Sequence, residues 1–457
     1  MSALHGHPTV SPLRVAALTP FRPAPAGATL APLGSTFTSD RTTRSVLPLH
    51  VVRDARPARV VEPRRGRVPS DPMGEKPVRS RVPTRPRTGR ALAALAAAFA
   101  LALTGASMPA SATPPPPAPT LPAPNTNGIT VTSWSPADPN NPTPMYDVTM
   151  TTAAIFVARG GTPTINPVTV PVNVRILLPA NYQTNPANPY DVLYLLNGGT
   201  GDYQQWSKTN EGDVAAKVAA SSFDGIVVMP EGGKSGWFSD WAGHTDGFFA
   251  PQWETFHIQQ LVPWIDANFN TTGTRAGRAI AGVSMGGLGA LKYAGRHPGL
   301  FSAVGAFSGG TTIYPSGAQD IVDQSMWGFG AAFSWNGLLD GKYRVTGTKQ
   351  YRMETVFGPP STWPAQNPVN LALNGAYANY DKFAMYSGGR PTGEVDINTV
   401  NEELHDDLDT VGVDHRYCSG PGDHSWGFWR NDLSDFLEYV YGTTPTSCTA
   451  NTGWTAQ

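Results

Sequence analysis

Five residues, Gly282-Val283-Ser284-Met285-Gly286, constrain this chain more than any other stretch. They fit the pattern G-x-S-x-G, and their surroundings suit it. The apolar run Arg278-Ala279-Ile280-Ala281 predicts a short buried strand, and Gly286-Gly287-Leu288-Gly289-Ala290-Leu291 predicts a glycine-studded helix start. In that strand–turn–helix setting a serine sits on a strained turn with its hydroxyl exposed. Small residues flank it because the helix packs close to the strand. Without that context the pattern is an ordinary glycine-rich βα turn.

The rest of the chain supplies a scaffold for such a turn. Gly128–Pro179 reads as an antiparallel β section: Ile129–Trp134 and Met145–Met150 alternate, and Val168–Leu178 is a longer strand pattern. Then Asp191–Leu196, Gly225–Met229, Arg278–Val283, Ala303–Phe307 and Lys382–Tyr386 are continuous apolar runs, as buried parallel strands require. Helical segments lie between them. In Trp253–Phe269 the residues Phe256, Gln260, Trp264 and Ile265 fall near one another, giving a partial core stripe. The expected fold is α/β, with a mostly parallel doubly wound sheet. Thr311–Asp381 interrupts the order after the fifth apolar strand, counting Val168–Leu178 as the first. Rich in Gly, Pro and aromatics (Trp327, Trp335, Trp363), it reads equally as a lid over a substrate pocket and as a structural excursion.

The N-terminal part is different material. Residues 1–90 are rich in Arg and Pro without periodicity and read as disordered. The apolar run Ala91–Leu103 is too short to span a bilayer. Basic residues precede it and Ala110-Ser111-Ala112 follows as an A-x-A cleavage signal, so residues 73–112 are expected to be a secretory signal peptide. Such peptides begin a chain, which predicts translation from Met73 and leaves residues 1–72 untranslated. The boundaries then run 113–127, a Pro-rich linker; 128–445, the catalytic domain; and 446–457, a tail.

Removing the leader changes the charge. The whole chain carries 33 Lys+Arg against 34 Asp+Glu, but residues 1–112 hold 16 basic and 5 acidic; residues 113–457 keep 17 and 29, a net of −12. An acidic surface argues against nucleic acid and against charge-driven attachment to anionic lipid. In an exported chain the two cysteines, Cys418 and Cys448, are expected to be bridged, and they do not make a zinc site. No metal or organic cofactor is implied, and no transmembrane segment remains in the exported part.

A serine hydroxyl needs a base to take its proton and a third group to orient that base. The base should follow Ser284. His424 lies in the loop Gly420–Trp426, after the strand-like Val413–Cys418 and before the helix Trp429–Tyr441, where such a histidine belongs. His297 ends the serine's own helix and points away; His405 and His415 sit among acidic residues and read as solvated. For the acid, the loop after Lys382–Tyr386 offers Glu394 and Asp396, and spacing does not separate them. Asp406, Asp407 and Asp409 fall on what reads as an exposed acidic helix. Backbone N–H groups must meet the developing oxyanion: one from Met285, one from the loop Asn197-Gly198-Gly199-Thr200-Gly201.

Leu195–Gly199, Phe238-Ser239-Asp240-Trp241, Trp253-Glu254-Thr255-Phe256, Gly282–Gly286 and His424-Ser425-Trp426 occur in an order that resembles the secreted mycolyltransferases of the antigen 85 complex and the wider Putative esterase (esterase D-like) family. The likeness runs from about Pro179 to Tyr441. It implies an α/β-hydrolase fold with Ser284 as nucleophile and His424 as base. The family's acid is a glutamate seven positions past its strand, which counted on from Ser387 falls on Glu394. Gly199 and Met285 match its oxyanion donors, and Trp426 matches a tryptophan beside the acyl-acceptor site. Asn197 stands at a substrate-binding position where mycolyltransferases carry Asp, and an Arg expected near Thr200 is missing; both departures weigh against trehalose as acceptor. The family's cysteine pair after Ser-Asp-Trp is absent. The resulting expectation is a secreted, serine-dependent enzyme moving an acyl group from a lipid or other ester to an alcohol, a sugar or water. The alternative is a non-catalytic cell-envelope binding protein on the same fold.

Overall fold

The computed structural model describes residues 116–158, 167–182, 189–243, 251–314, 353–443, 448 and 450–457. The signal-peptide reading and the tryptophans at 327 and 335 fall outside them.

The first strands are β1 (Ile129–Pro136), β2 (Met145–Thr152), a separate two-stranded ladder of β3 (Phe156–Ala158) and β4 (Pro167–Thr169), and β5 (Val172–Leu177). The single strand expected over Val168–Leu178 is thus two. The break includes Pro171, which has no N–H to give a ladder. β6 (Val192–Leu196), β7 (Ile226–Pro230), β8 (Arg278–Val283), β9 (Ala303–Phe307), β10 (Lys382–Gly393), β11 (Arg416–Gly422) and β12 (Thr455–Ala456) complete the main sheet. Its order is β1-β2-β5-β7-β6-β8-β9-β10-β11-β12. The run from β7 to β11 is parallel, flanked by antiparallel β1, β2 and β5 on one side and β12 on the other. This is an α/β-hydrolase fold.

Successive residues of a strand point to opposite faces, so strands covered on both faces must be apolar throughout. β6 shows it: Val192, Tyr194 and Leu196 enter one core, while Leu193 and Leu195 enter the other. β7 divides likewise, with Ile226 and Val228 opposite Val227 and Met229.

The helices are α1 (Val214–Ala219), α2 (Val262–Asn268), α3 (Met285–Arg296), α4 (Met353–Phe357), α5 (Pro368–Leu373), α6 (Val395–Thr410) and α7 (Trp426–Tyr441). The helix expected over Trp253–Phe269 opens as a π-helical stretch, Thr255–Leu261, and continues as α2, where Pro263 withholds one N–H from the ladder. Phe256, Trp264 and Ile265 are buried as the stripe predicted.

Two terminal segments read as linker and tail are held to the domain. The carbonyls of Pro116, Pro119 and Pro124 accept from Tyr146 Oη (3.0 Å), Trp134 Nε1 (2.8 Å) and Trp264 Nε1 (2.9 Å). At the other end Cys448 is bonded to Cys418 of β11 with Cα atoms 5.5 Å apart, and β12 extends the sheet. Within the insertion, Trp363 is buried with Trp241, Leu288, Ile313, Met353, Val356 and Phe357, so it is core and not a groove wall. Among the described residues no helix is long and apolar enough to cross a membrane.

Candidate active site

The strand order turns at β6, which pairs with β7 on one side and β8 on the other. In open α/β sheets ligands bind at such a switch, beyond the carboxyl ends of the strands. The residues singled out from sequence all lie there: Asn197–Gly201 after β6, Ser284 after β8, Glu394 after β10 and His424 after β11.

Ser284 has φ 55° and ψ −117° and caps α3. A non-glycine residue held there marks strain that the surroundings maintain. Its N–H donates to Phe307 O at 2.8 Å. The glycines explain how the turn closes: a Cβ on Gly282 would collide with Gly286 O, and one on Gly286 would lie 2.6 Å from Asn197 O.

Oγ of Ser284 lies 2.9 Å from Nε2 of His424. The other ring nitrogen, Nδ1, bonds Glu394 Oε1. Because a carboxylate only accepts, Nδ1 carries the proton and Nε2 presents a lone pair to the hydroxyl. Glu394 Oε2 accepts from Ser308 Oγ at 2.9 Å and from Gly388 N at 3.0 Å. The Glu394 side chain is 1 % exposed, whereas that of His424 is 41 % exposed. Asp396 is exposed in the first turn of α6 and takes no part.

Two supporting residues escaped the sequence reading. Ser308, just past β9 with φ 46°, accepts Trp429 Nε1–H at 2.8 Å while donating to Glu394. The Trp429 ring stands edge-on to His424, 4.7 Å between centroids. The signal available was position alone: Ser308 opens a Ser-Gly-Gly run at the carboxyl end of a parallel strand. Trp426 packs edge-on against Trp206 (5.0 Å) and Trp429 (5.3 Å).

On the opposite side, a Cβ on Gly199 would lie 3.9 Å from both Met285 Cβ and Lys234 O, so the two expected oxyanion donors are neighbours. Met285 opens α3, where the first N–H groups have no intrahelical acceptor. The loop is braced: Gly198 N donates to Gln205 Oε1 (2.9 Å) and Thr200 N to Lys234 O (2.8 Å). Asn197, read as a substrate contact, is 1 % exposed; its Nδ2 donates to Gly198 O at 2.9 Å. The side chain turns inward, its Nδ2 held by backbone and its Oδ1 buried without a hydrogen-bond partner among the described residues. Beneath lies Glu231, 5 % exposed, accepting Gly233 N (3.1 Å) and Tyr203 N (3.4 Å). Burial pushes its carboxyl up to about 8, aided by nearby Asp202.

The other histidines weighed from the sequence have partners elsewhere. His297 bonds Glu254 at 2.8 Å, as an inward-pointing helix end allows. His405 and His415 are not solvated as expected: they bond each other at 2.6 Å, with side chains 15 % and 2 % exposed. The turn after α6 folds His415 back under the helix, which acidic neighbours in sequence did not reveal.

The family model described as Putative esterase matches residues 168–440. Esterase Rv1288 of Mycobacterium tuberculosis is 34 % identical over 282 residues, covering 58 % of this chain and 55 % of that protein. The chain thus spans about half the length of that relative. Diacylglycerol acyltransferase/mycolyltransferase Ag85A of Mycobacterium leprae is 29 % identical over 296 residues, covering 58 % of this chain and 79 % of that one. Among solved structures, MPT51 (FbpC1) of M. tuberculosis aligns over 63 % of this chain and 99 % of its own at 20 % identity, TM-score 0.46. A ferulic acid esterase aligns over 65 % and 98 % at 21 % identity, TM-score 0.45. With the family model spanning more than half of its residues, the chain belongs to the Putative esterase family.

Proposed function

We propose that the protein is a secreted serine enzyme that moves acyl groups from ester substrates through an acyl-enzyme. The observation that carries this is the unbroken line from Ser284 Oγ through both nitrogens of His424 to Glu394. Ser284 attacks the ester carbonyl as His424 Nε2 takes its proton. Glu394 holds the ring and stabilises its charged form. The N–H groups of Gly199 and Met285 stabilise the tetrahedral oxyanion. The imidazolium then protonates the departing alkoxide. In the second half His424 activates water or an alcohol against the acyl-enzyme, and Ser284 leaves with its proton restored. Because the imidazole is 41 % exposed, water can reach the base, which favours hydrolysis unless an acceptor alcohol occupies the face beside Trp426. With Asn197 turned inward, that acceptor is not gripped by a charge at position 197.

Secretion agrees with the Cys418–Cys448 bond, which persists in oxidising compartments. A mature N-terminus following Ala112 would test it.

Ser284→Ala should lower turnover of a chromogenic short-chain ester by about 10⁴-fold or more. A serine-directed fluorophosphonate should label Ser284 in the folded protein. Wild-type turnover in Ser284→Ala, or absence of labelling, sinks the enzymatic reading and leaves the binding protein.

A further inference from the structure

Behind the active site, at the far end of α6, two histidines and an aspartate meet. His405 and Asp409 are one turn apart on the helix, and His415 comes from the turn that leads into β11. Nδ1 of His405 lies 2.6 Å from Nε2 of His415. One donor atom from each of the three residues lies within 4.8 Å of the others. We propose that His405, Asp409 and His415 form a divalent transition-metal site, suited to Zn²⁺, that ties the end of α6 to the start of β11.

The chemistry of the donors supports the assignment. Two imidazole nitrogens and one carboxylate oxygen, with a position left for water, is a zinc donor set. His415 Nδ1 donates to Val413 O at 2.8 Å, the backbone contact by which ligating histidines are commonly held, and this leaves Nε2 with its lone pair. The surroundings are anionic: Glu402, Glu403, Asp406 and Asp407 lie on α6, and Asp414 precedes His415. The helix also ends there, with its carbonyls directed outward. Arg416, next in sequence, pairs with Asp435 at 2.9 Å.

In the metal-free protein one N–H bridges the two rings. Metal entry replaces that bridge: His405 shifts its proton from Nδ1 to Nε2, and both facing nitrogens bind the ion. With bonds of about 2.0–2.1 Å in tetrahedral geometry the nitrogens separate to roughly 3.3 Å. His405 and Asp409 are on the solvent side, the latter 66 % exposed, and can make that adjustment. Asp409, now 3.9 Å from His405 Nε2 and 4.0 Å from His415 Nδ1, swings in as the third ligand. Glu394 and His424 sit at the other ends of these same elements, so the site acts on rigidity and not on the reacting atoms.

The test uses untagged, chelator-treated protein titrated with ZnCl₂ by calorimetry, with Co²⁺ as a spectroscopic probe. One equivalent should bind saturably, raise the melting midpoint progressively with free Zn²⁺, and leave ester turnover unchanged. The first bound Co²⁺ should give the visible bands of a four-coordinate ion. His405→Ala, at a partly exposed position, and His415→Gln should each weaken binding at least about tenfold, and Asp409→Asn likewise. Circular dichroism melts identify any variant that fails to fold. No saturable binding, or wild-type affinity in His405→Ala or in Asp409→Asn, overturns the site.

Discussion

Two glutamates, each nearly out of contact with water, flank the helix that carries Ser284, and they are driven in opposite directions. Glu254 is 6 % exposed and Glu231 5 % exposed. Burial raises both carboxyls. At Glu254 that effect is overcome by His297 (2.8 Å), Lys292 (3.7 Å) and Arg296 (2.7 Å), all on or capping α3, and the carboxyl is pushed down to about 2. At Glu231 burial and nearby Asp202 outweigh two backbone N–H donors and the more distant charge of Lys234, and the carboxyl is pushed up to about 8. Charge is therefore set here by which groups share the cavity, not by depth. The ionised glutamate clamps the far end of α3, while the neutral one braces the two loops beside Gly199.

The largest consequence falls on the clamp. Lys292 is fully buried and donates to Ser239 Oγ at 2.6 Å, with Glu254 as its countercharge. Glu254→Ala leaves that cation unpaired and should cost about 3–5 kcal/mol of unfolding free energy in urea titrations, as removal of one member of a buried pair does. A loss under about 1 kcal/mol would show that Ser239 and hydration suffice and would erase the contrast.

The two carboxyls must also respond oppositely to pH. Glu254 is lowered from 4.5, so its contribution is present above that value and is lost as pH falls through about 2. Glu231 is raised from 4.5, so its contribution is complete below pH 4.5 and is lost as pH rises through about 8. Relative to Glu231→Gln, the wild type should lose on the order of 2–4 kcal/mol between pH 5 and 9, taking 1.36 kcal/mol per pKa unit as the upper slope. Parallel stability curves for the two proteins would mean that Glu231 ionises freely where it is.

Much of this scaffold was legible because parallel strands covered on both faces leave no room for polar residues. The serine turn was legible because α3 packs closely on β8, which demands glycine at 282, and on the end of β6, which demands it at 286. The choice of Glu394 over Asp396 was legible only through the family resemblance and not from spacing. Both stand at the start of α6, and what separates them is which one meets Gly388 N and Ser308 Oγ inside the fold. The segment 116–127 has the composition of a linker, yet its carbonyls serve three aromatic donors that lie far away in sequence. The His405–His415 pair depends on a tight turn at Val411–Asp414, and acidic neighbours pointed instead to solvent.

Glu394 has partners of both kinds, and the smallest prediction concerns it. Like Glu231 it accepts a backbone N–H; like Glu254 it meets an ionisable ring. Its third partner, Ser308, adds an O–H at 2.9 Å while itself held by Trp429. Ser308→Ala keeps the backbone type at a position with φ 46° but removes that donor and leaves the Trp429 N–H without its acceptor. The carboxylate then has fewer bonds fixing the plane in which it meets Nδ1 of His424. A loss of about 1.4 kcal/mol, the scale of one such hydrogen bond, corresponds to roughly tenfold in kcat with KM little changed. If kcat in Ser308→Ala matches the wild type across pH 6–9, Gly388 N suffices to fix the Glu394 carboxylate against His424, and a backbone donor serves it as backbone donors serve Glu231.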